Sequence, residues 1–148
     1  SNGIKIMLDF AHNPHGLSAI VEMVKKIPAK RRLILLGQAG DRSNDDIEKL
    51  VLAASQLNPD KVIAAEIRKY LRGREPEEVP NLIKKYFVQN GAKEKNISIV
   101  SEMAKGVENA LAWSQKCDLL LLLVLDQRDE IYELIQEFIN RCGFVDER

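Results

Sequence analysis

Asp9, His12 and Asn13 fall within five positions of one another in the run Asp9-Phe10-Ala11-His12-Asn13-Pro14. A carboxylate can accept hydrogen bonds from ribose hydroxyls, and an imidazole and an amide can reach phosphate oxygens arriving near a helix N-terminus, where orphan N–H groups and the helix dipole favour anions. A second set is Gly37-Gln38-Ala39-Gly40-Asp41-Arg42, whose glycines allow a tight turn or a close backbone approach and whose Asp41 and Arg42 set opposite charges side by side. Arg42 is suited to steadying a phosphate or a carboxylate. The third set is basic: Arg68, Lys69, Arg72 and Arg74 lie within seven residues around Gly73, and guanidinium groups so grouped can clamp a carboxylate or a phosphate. Each set has a plainer alternative. Asp9 and Asn13 can cap a helix while His12 packs, Asp41 can cap beside a solvated Arg42, and the basic loop can be a solvated run balanced by Glu75, Glu77 and Glu78.

Hydrophobic periodicity supplies the frame that must position these groups. Ile4 to Leu8 reads as a short strand, and Pro14 suits the first turn of a helix whose Leu17, Ile20, Val21, Val24 and Ile27 recur at helical spacing until Pro28. A second strand, Leu33 to Leu36, precedes the glycine loop. Ser43 to Asp46 resembles a capping box, and Ile47, Leu50, Val51, Ala54 and Leu57 follow as an apolar stripe closed by Asn58-Pro59-Asp60. Lys61 to Ala65 is a third strand leading into the basic loop, after which Val79, Leu82, Ile83, Tyr86 and Phe87 make a helix ending near Gly91. Ile97 to Val100 is a fourth strand, and Ser101 can cap a helix carrying Met103, Val107, Ala110 and Leu111. Leu119 to Leu123 reads as a strand buried on both faces, at the centre of a sheet. Ile131, Leu134, Ile135, Phe138 and Ile139 form a last amphipathic helix ending at Cys142-Gly143. Five β-α units predict an α/β, Rossmann-like, doubly wound and mostly parallel sheet of five or six strands with helices on both faces, any sixth strand lying in the tail. Each polar loop then follows the carboxyl end of a strand, where open α/β sheets bind ligands. Trp113, Tyr86 and Phe87 sit on helical faces as core, and His15 is given no role.

Composition narrows the class. The 148 residues suit a single domain spanning 1–148, enough to bury roughly two-thirds of the unfolded surface. Lys plus Arg and Asp plus Glu both total 22, and this zero net charge argues against an electrostatic nucleic-acid binder or a polybasic membrane surface. Cys117 and Cys142 are too few for a disulfide framework or a thiolate metal site, and each adjoins an apolar segment; a reducing cytoplasm fits. Leu119 to Leu125 is the longest apolar run and is far too short to cross a membrane. The Ser1-Asn2 start, without Met, is expected to be a cleavage remnant on a fragment of a longer protein.

The first hexapeptide resembles the Asp-aromatic-Ala-His-(Asn/Thr)-Pro signature that opens the C-terminal domain of the Mur ligase family, ATP-dependent amide ligases that include folylpolyglutamate synthetase and cyanophycin synthetase. Gly37-Gln38-Ala39-Gly40-Asp41-Arg42 and Leu71-Arg72-Gly73-Arg74-Glu75-Pro76 follow in the order that family shows, and the Leu-Arg-Gly-Arg form of the last loop is most similar to cyanophycin synthetase. The resemblance implies that Asp9 lies towards the ribose and His12 towards the phosphates of ATP, with Asn13 beside them in the nucleotide-binding loop. It implies a second-tier nucleotide or substrate role for Asp41 and Arg42, and placement of the incoming amino acid by Arg72 and Arg74. Asp126-Gln127-Arg128-Asp129 stands where many murein ligases carry Gly-Lys-Gly-His-Glu, so those contacts do not transfer.

No Walker-type Gly-x-x-Gly-x-Gly-Lys-(Ser/Thr) run occurs, so this chain has no cradle for the β and γ phosphates and no evident metal site of its own. The resemblance implies that a central ATPase domain supplies the P-loop and Mg²⁺, that an N-terminal domain presents the acceptor, and that this domain alone is inactive. The amine donor implied by cyanophycin synthetase is arginine, joined to an aspartate side chain. The competing class is a free-standing, non-catalytic nucleotide-binding or regulatory α/β module. A response-regulator receiver is disfavoured, because Ala64-Ala65-Glu66 lacks a phospho-acceptor Asp and Asp126 stands where a Lys belongs; a dinucleotide oxidoreductase is disfavoured by the single late Gly16 in the first β-α turn.

Overall fold

The computed structural model describes residues 3–10 and 13–142; His12 and the tail considered for a sixth strand lie outside the described residues. Five strands, β1 (Lys5–Asp9), β2 (Arg32–Gly37), β3 (Lys61–Ala65), β4 (Ile97–Val100) and β5 (Leu119–Leu123), form one sheet in the order β1-β5-β2-β3-β4, and each pairing is parallel. The leucine run, expected at the centre, is an interior strand one place from the edge, with β2 in the middle: Leu121 pairs with Met7 on one side and with Ile34 on the other. Because side chains alternate along a strand, Leu119, Leu121 and Leu123 enter one core layer while Leu120 and Leu122 enter the other. Each of these leucines is at most 2% exposed, and burial of such a side chain is worth about 1.5–3 kcal/mol.

The helices divide by face. α1 (Pro14–Val24), α2 (Asn44–Ser55) and α3 (Glu78–Gln89) supply the first layer through residues such as Leu17, Leu50 and Phe87, whereas α4 (Met103–Trp113) and α5 (Arg128–Cys142) supply the second through Met103, Val107 and Ile131. β5 therefore leads to a helix on one face while its neighbours β1 and β2 lead to helices on the other, which opens a crevice at the carboxyl edge of the sheet. Tyr86 and Phe87 are buried as expected, while Trp113 is only partly buried and carries the Arg31 guanidinium 3.7 Å from its ring centroid. Among the described residues no helix is long and apolar enough to cross a membrane.

The helix ends show where local signals decided the structure and where they did not. Asn13 caps α1, its Oδ1 accepting the Gly16 N–H at 2.8 Å, and Ser43 caps α2 by accepting the Asp46 N–H at 3.1 Å. Gly91, at φ +98°, closes α3 as the Ala92 N–H returns to the Phe87 carbonyl at 3.0 Å. Ser101 does not cap α4. The cap position is Glu102, without a side-chain bond, and the Ala104 N–H is accepted at 2.8 Å by Oε1 of Gln127, from the loop after β5. A tertiary neighbour satisfies the orphan donor that a local serine was expected to take. β1 also runs one residue later than expected, since Asp9 pairs with Leu123.

Candidate functional site

Three loops meet over the carboxyl ends of β5, β2 and β3. They enclose a cleft of about 480 Å³ lined by Gln38, Ala39, Asp41, Arg42 and Asp46 from the β2 side, Tyr70 and Arg72 from the β3 side, and Leu125 after β5. Gly40 makes this geometry possible. Its N–H donates to the Tyr70 carbonyl at 2.7 Å, and a Cβ on it would stand 1.8 Å from the Leu71 carbonyl oxygen. Close backbone approach, rather than a tight left-handed turn, is the reason for this glycine.

Arg74 braces the same junction. Its Nε donates to the Gly40 carbonyl at 3.0 Å, its Nη2 to the Arg42 carbonyl at 2.7 Å and its Nη1 to Glu78 Oε2 at 2.6 Å, with only 14% of the side chain exposed. The guanidinium expected to help place an amino acid is thus committed to the protein's own loops, and Arg74 is a positioning residue. Arg72 differs. It adopts φ +52°, is about half exposed, and holds its Nη1 3.7 Å from Asp41 and its guanidinium 5.0 Å from the Tyr70 ring centroid. Lys69 lies 5.4 Å from the Tyr70 centroid and 3.9 Å from Asp126. A loosely tethered cation on a cleft wall can exchange a weak internal pair for a ligand carboxylate or phosphate at little cost.

Asp41, Arg42 and Arg72 are therefore brought together. Asp9 and Asn13 are not part of that group: they belong to β1 and the start of α1, and β5 intervenes between β1 and β2, an offset of about 10 Å at strand spacing. The Asp9 carbonyl accepts the Val124 N–H at 2.9 Å, and next to it the Phe10 ring is stacked by Arg128 at 4.1 Å. Asn13 uses its oxygen as a helix cap, which leaves its amide N–H groups as the donors that can meet a ligand. Among the described residues no three acidic, imidazole or thiolate groups gather as a metal cage requires. Cys117 and Cys142 are half-buried thiols.

Sequence reasoning missed two residues. Tyr70 was hidden inside a basic run, although an aromatic flanked by cations is itself a signal of a structured loop. Glu66 was noticed only as a missing phospho-acceptor, yet a carboxylate directly after an apolar strand that ends in Ala64 and Ala65 had to be buried with it.

The brace carries a pH dependence. Hydrogen bonding from Arg74, with help from the Glu75 N–H and the Arg74 charge, holds the Glu78 carboxyl below its ordinary value. A carboxyl with a depressed folded-state pKa stabilises the protein above its unfolded value and loses that contribution as pH falls through the folded value. The melting temperature gap between wild type and Glu78→Gln is expected to be widest near neutrality and to close below about pH 4. A gap that persists unchanged into acid would count against the brace.

Comparison with known proteins accords with this geometry. Residues 1–123 match the Mur ligase, glutamate ligase domain family. The chain is 24% identical over 132 residues to the UDP-N-acetylmuramoyl-L-alanyl-D-glutamate--2,6-diaminopimelate ligase of Caldanaerobacter subterraneus subsp. tengcongensis, across 88% of this chain and 25% of that protein. It is 30% identical over 117 residues to the cyanophycin synthetase of Geminocystis herdmanii, across 79% of this chain and 13% of that protein. This chain thus spans a quarter or less of these relatives' length. Two solved structures share the fold: a UDP-N-acetylmuramoyl-L-alanyl-D-glutamate--2,6-diaminopimelate ligase, at TM-score 0.69 and 16% identity over 95% of this chain and 30% of that one, and E. coli FolC in complex with ADP, at TM-score 0.62 and 17% identity over 93% of this chain and 29% of that one. With the family match running over most of its length and the sheet and loops arranged as described, the chain belongs to the Mur ligase, glutamate ligase domain family.

Proposed function

We propose that this chain is the C-terminal domain of a larger ATP-dependent ligase that joins the amine of an amino acid to a substrate carboxylate through an acyl phosphate, and that its carboxyl-edge loops help hold the nucleotide and the amino acid. One observation carries the reading: a chain that matches this family over residues 1–123 opens a cleft lined by Asp41, Arg42, Tyr70 and Arg72 at the ligand-binding edge of its sheet.

The chemistry asks for orientation and charge stabilisation. The γ-phosphoryl group passes from ATP to a carboxylate oxygen and ADP leaves; the amine then attacks the acyl carbon, the phosphate departs and the amine loses a proton. Neither step requires a covalent enzyme nucleophile. Asp9 suits the ribose hydroxyls, His12 and the Asn13 amide suit phosphate oxygens, Arg42 a phosphate or carboxylate, and Arg72 the amino acid's carboxylate, each worth most once closure excludes water. On this reading the metal and the P-loop belong to the parent's central ATPase domain, and the acceptor to its N-terminal domain; no three acidic, imidazole or thiolate groups gather among the described residues. Similarity to cyanophycin synthetase favours arginine as the amino acid.

The test is ADP release from ATP by the full-length parent over a panel of amino acids that includes arginine, with this chain alone beside it. Amino-acid-dependent ADP from the parent and none from the chain is expected, and His12→Ala in the parent should reduce turnover without unfolding this domain. Silence across the panel would overturn the ligase reading in favour of a free-standing binding module.

A further inference from the structure

We propose that Arg128 is a positioning residue for the loop after β1: by stacking on the face of Phe10 it sets the orientation of the segment between Asp9 and Asn13. What that segment holds, a nucleotide, rests on the ligase reading; the stack itself does not.

The loop is tied at both ends. The Asp9 carbonyl accepts the Val124 N–H at 2.9 Å where β1 and β5 end, and Asn13 Oδ1 accepts the Gly16 N–H at 2.8 Å where α1 begins. Between these ties Phe10 is 37% exposed, so the core fixes its ring only in part. Over that ring lies the Arg128 guanidinium, its Cζ 4.1 Å from the centroid and well inside the distance of about 6 Å at which a cation is attracted to an aromatic face.

A stack orients a loop only if its other partner is itself held. Arg128 opens α5, and Gln127 before it is pinned: its Oε1 accepts the Ala104 N–H at 2.8 Å, its Nε2 donates to Glu130 Oε2 at 3.2 Å, and its carbonyl accepts at 3.0 Å the N–H of Ile131, a residue buried in the core. Gln127 sits at φ +58°, a left-handed backbone that a residue with a side chain keeps only where its surroundings impose it. Arg128 also breaks a local rule. The first turn of a helix favours anions, as Asp129 and Glu130 obey, and a guanidinium at the first position runs against the dipole. Such local conflicts gather at functional sites, and the gain that offsets this one is the contact with Phe10. On the other side of Gln127, Leu125 lines the cleft with Asp41 and Arg72, and Asp126 pairs with Lys69. With Gln127 pinned between them, loss of the Arg128 side chain disturbs the loop after β1 and spares the cleft wall.

The test has a kinetic and a structural arm. In the full-length parent, Arg128→Ala and Phe10→Leu are each expected to raise the KM for ATP about fivefold, to leave the KM for the amino acid unchanged, and to do no more together than either does alone. Phe10→Tyr, which keeps the ring, should match wild type. Additive effects would mean that Arg128 touches the nucleotide directly, and they overturn the positioning role, as does an unchanged KM for ATP or an equal rise in both constants. In the 148-residue chain without nucleotide, the Asn13 side-chain amide and Gly16 N–H resonances should shift in Arg128→Ala while the Ala104 N–H, held by Gln127, stays in place. Resonances of Asn13 and Gly16 that do not move, or an equal shift at Ala104, overturn the role whatever the parent does. The expected shifts beside a parent that releases no amino-acid-dependent ADP would support the role and sink the ligase reading.

Discussion

Gly40→Ala is expected, on the proposed ligase function, to lower the full-length parent's kcat/KM by about 100-fold while moving this domain's melting temperature by only a few degrees, roughly 2–8 °C. The new Cβ would lie 1.8 Å from the Leu71 carbonyl oxygen, 2.6 Å from its carbon and 2.9 Å from Arg74 Cγ. Real Cβ atoms essentially never come within 3.0 Å of such neighbours, so the loops after β2 and β3 must part by about 1 Å. None of the three atoms is the free end of a flexible side chain: Leu71 is backbone here, and Arg74 is held by bonds to the carbonyls of Gly40 and Arg42. Displacement therefore carries Tyr70 and Arg72 away from Asp41 and Arg42, and a misplacement of that size is enough for a loss of this order. The sheet beneath is untouched, since Leu36 and Ala64 remain packed in the core, which limits the stability cost. Parallel assays of kcat/KM and thermal unfolding check the separation. Wild-type turnover would show that this apposition does not hold the cleft, and a collapse of the melting temperature would show that it holds the fold instead.

Legibility followed the range of the interactions involved. Lys61–Ala65, Ile97–Val100 and Leu119–Leu123 are strands where alternation and β-branched or leucine-rich runs predict them, and the leucine run lies inside the sheet, between β1 and β2, because a segment apolar on both faces has to be covered on both. Asn13 and Ser43 cap helices within their own turn, so their signal was local. Gln127 on α4, Arg74 on Gly40 and Glu66 on Glu77 are bonds made across folded space, at separations of 23, 34 and 11 residues. A sequence shows that Arg72 and Arg74 are both basic and both near a glycine. It does not show that one turns outward through a left-handed backbone while the other folds back onto the loop before it. The cluster was legible as a cluster, and its division between a cleft-lining cation and a brace was set by the carbonyls of Gly40 and Arg42, whose orientation depends on the whole β2–α2 turn.

The largest loss of stability is expected at the opposite edge of the sheet. Asp118 is 1% exposed; its Oδ2 accepts from Arg31 Nη2 at 2.5 Å and from the Gln115 N–H at 2.7 Å, and its Oδ1 from Arg31 Nε at 3.1 Å. Arg31 in turn donates to the Trp113 carbonyl at 3.1 Å and stacks on its ring, so one ion pair ties the C-terminal end of α4, the entrance to β5 and the entrance to β2. The Asp118 bond raises the Arg31 pKa further above its already high value, so the guanidinium stays charged wherever the protein is folded. The two single variants should not be equal. Asp118→Ala strands an Arg that is one-third exposed and can turn to water, at about 3 kcal/mol including the orphaned Gln115 N–H, or a fall of about 10 °C. Arg31→Met strands an almost fully buried carboxylate, for which about 4 kcal/mol is expected. The double variant Arg31→Met with Asp118→Ala removes both charges and should be more stable than Arg31→Met alone, because an uncompensated buried charge costs more than a missing pair. Urea unfolding of the three variants decides the matter. Additive losses would mean that the pair is not coupled and that the edge is held by its backbone bonds alone, such as those from Lys5 to the Asp118 carbonyl and from Leu119 to the Arg31 carbonyl.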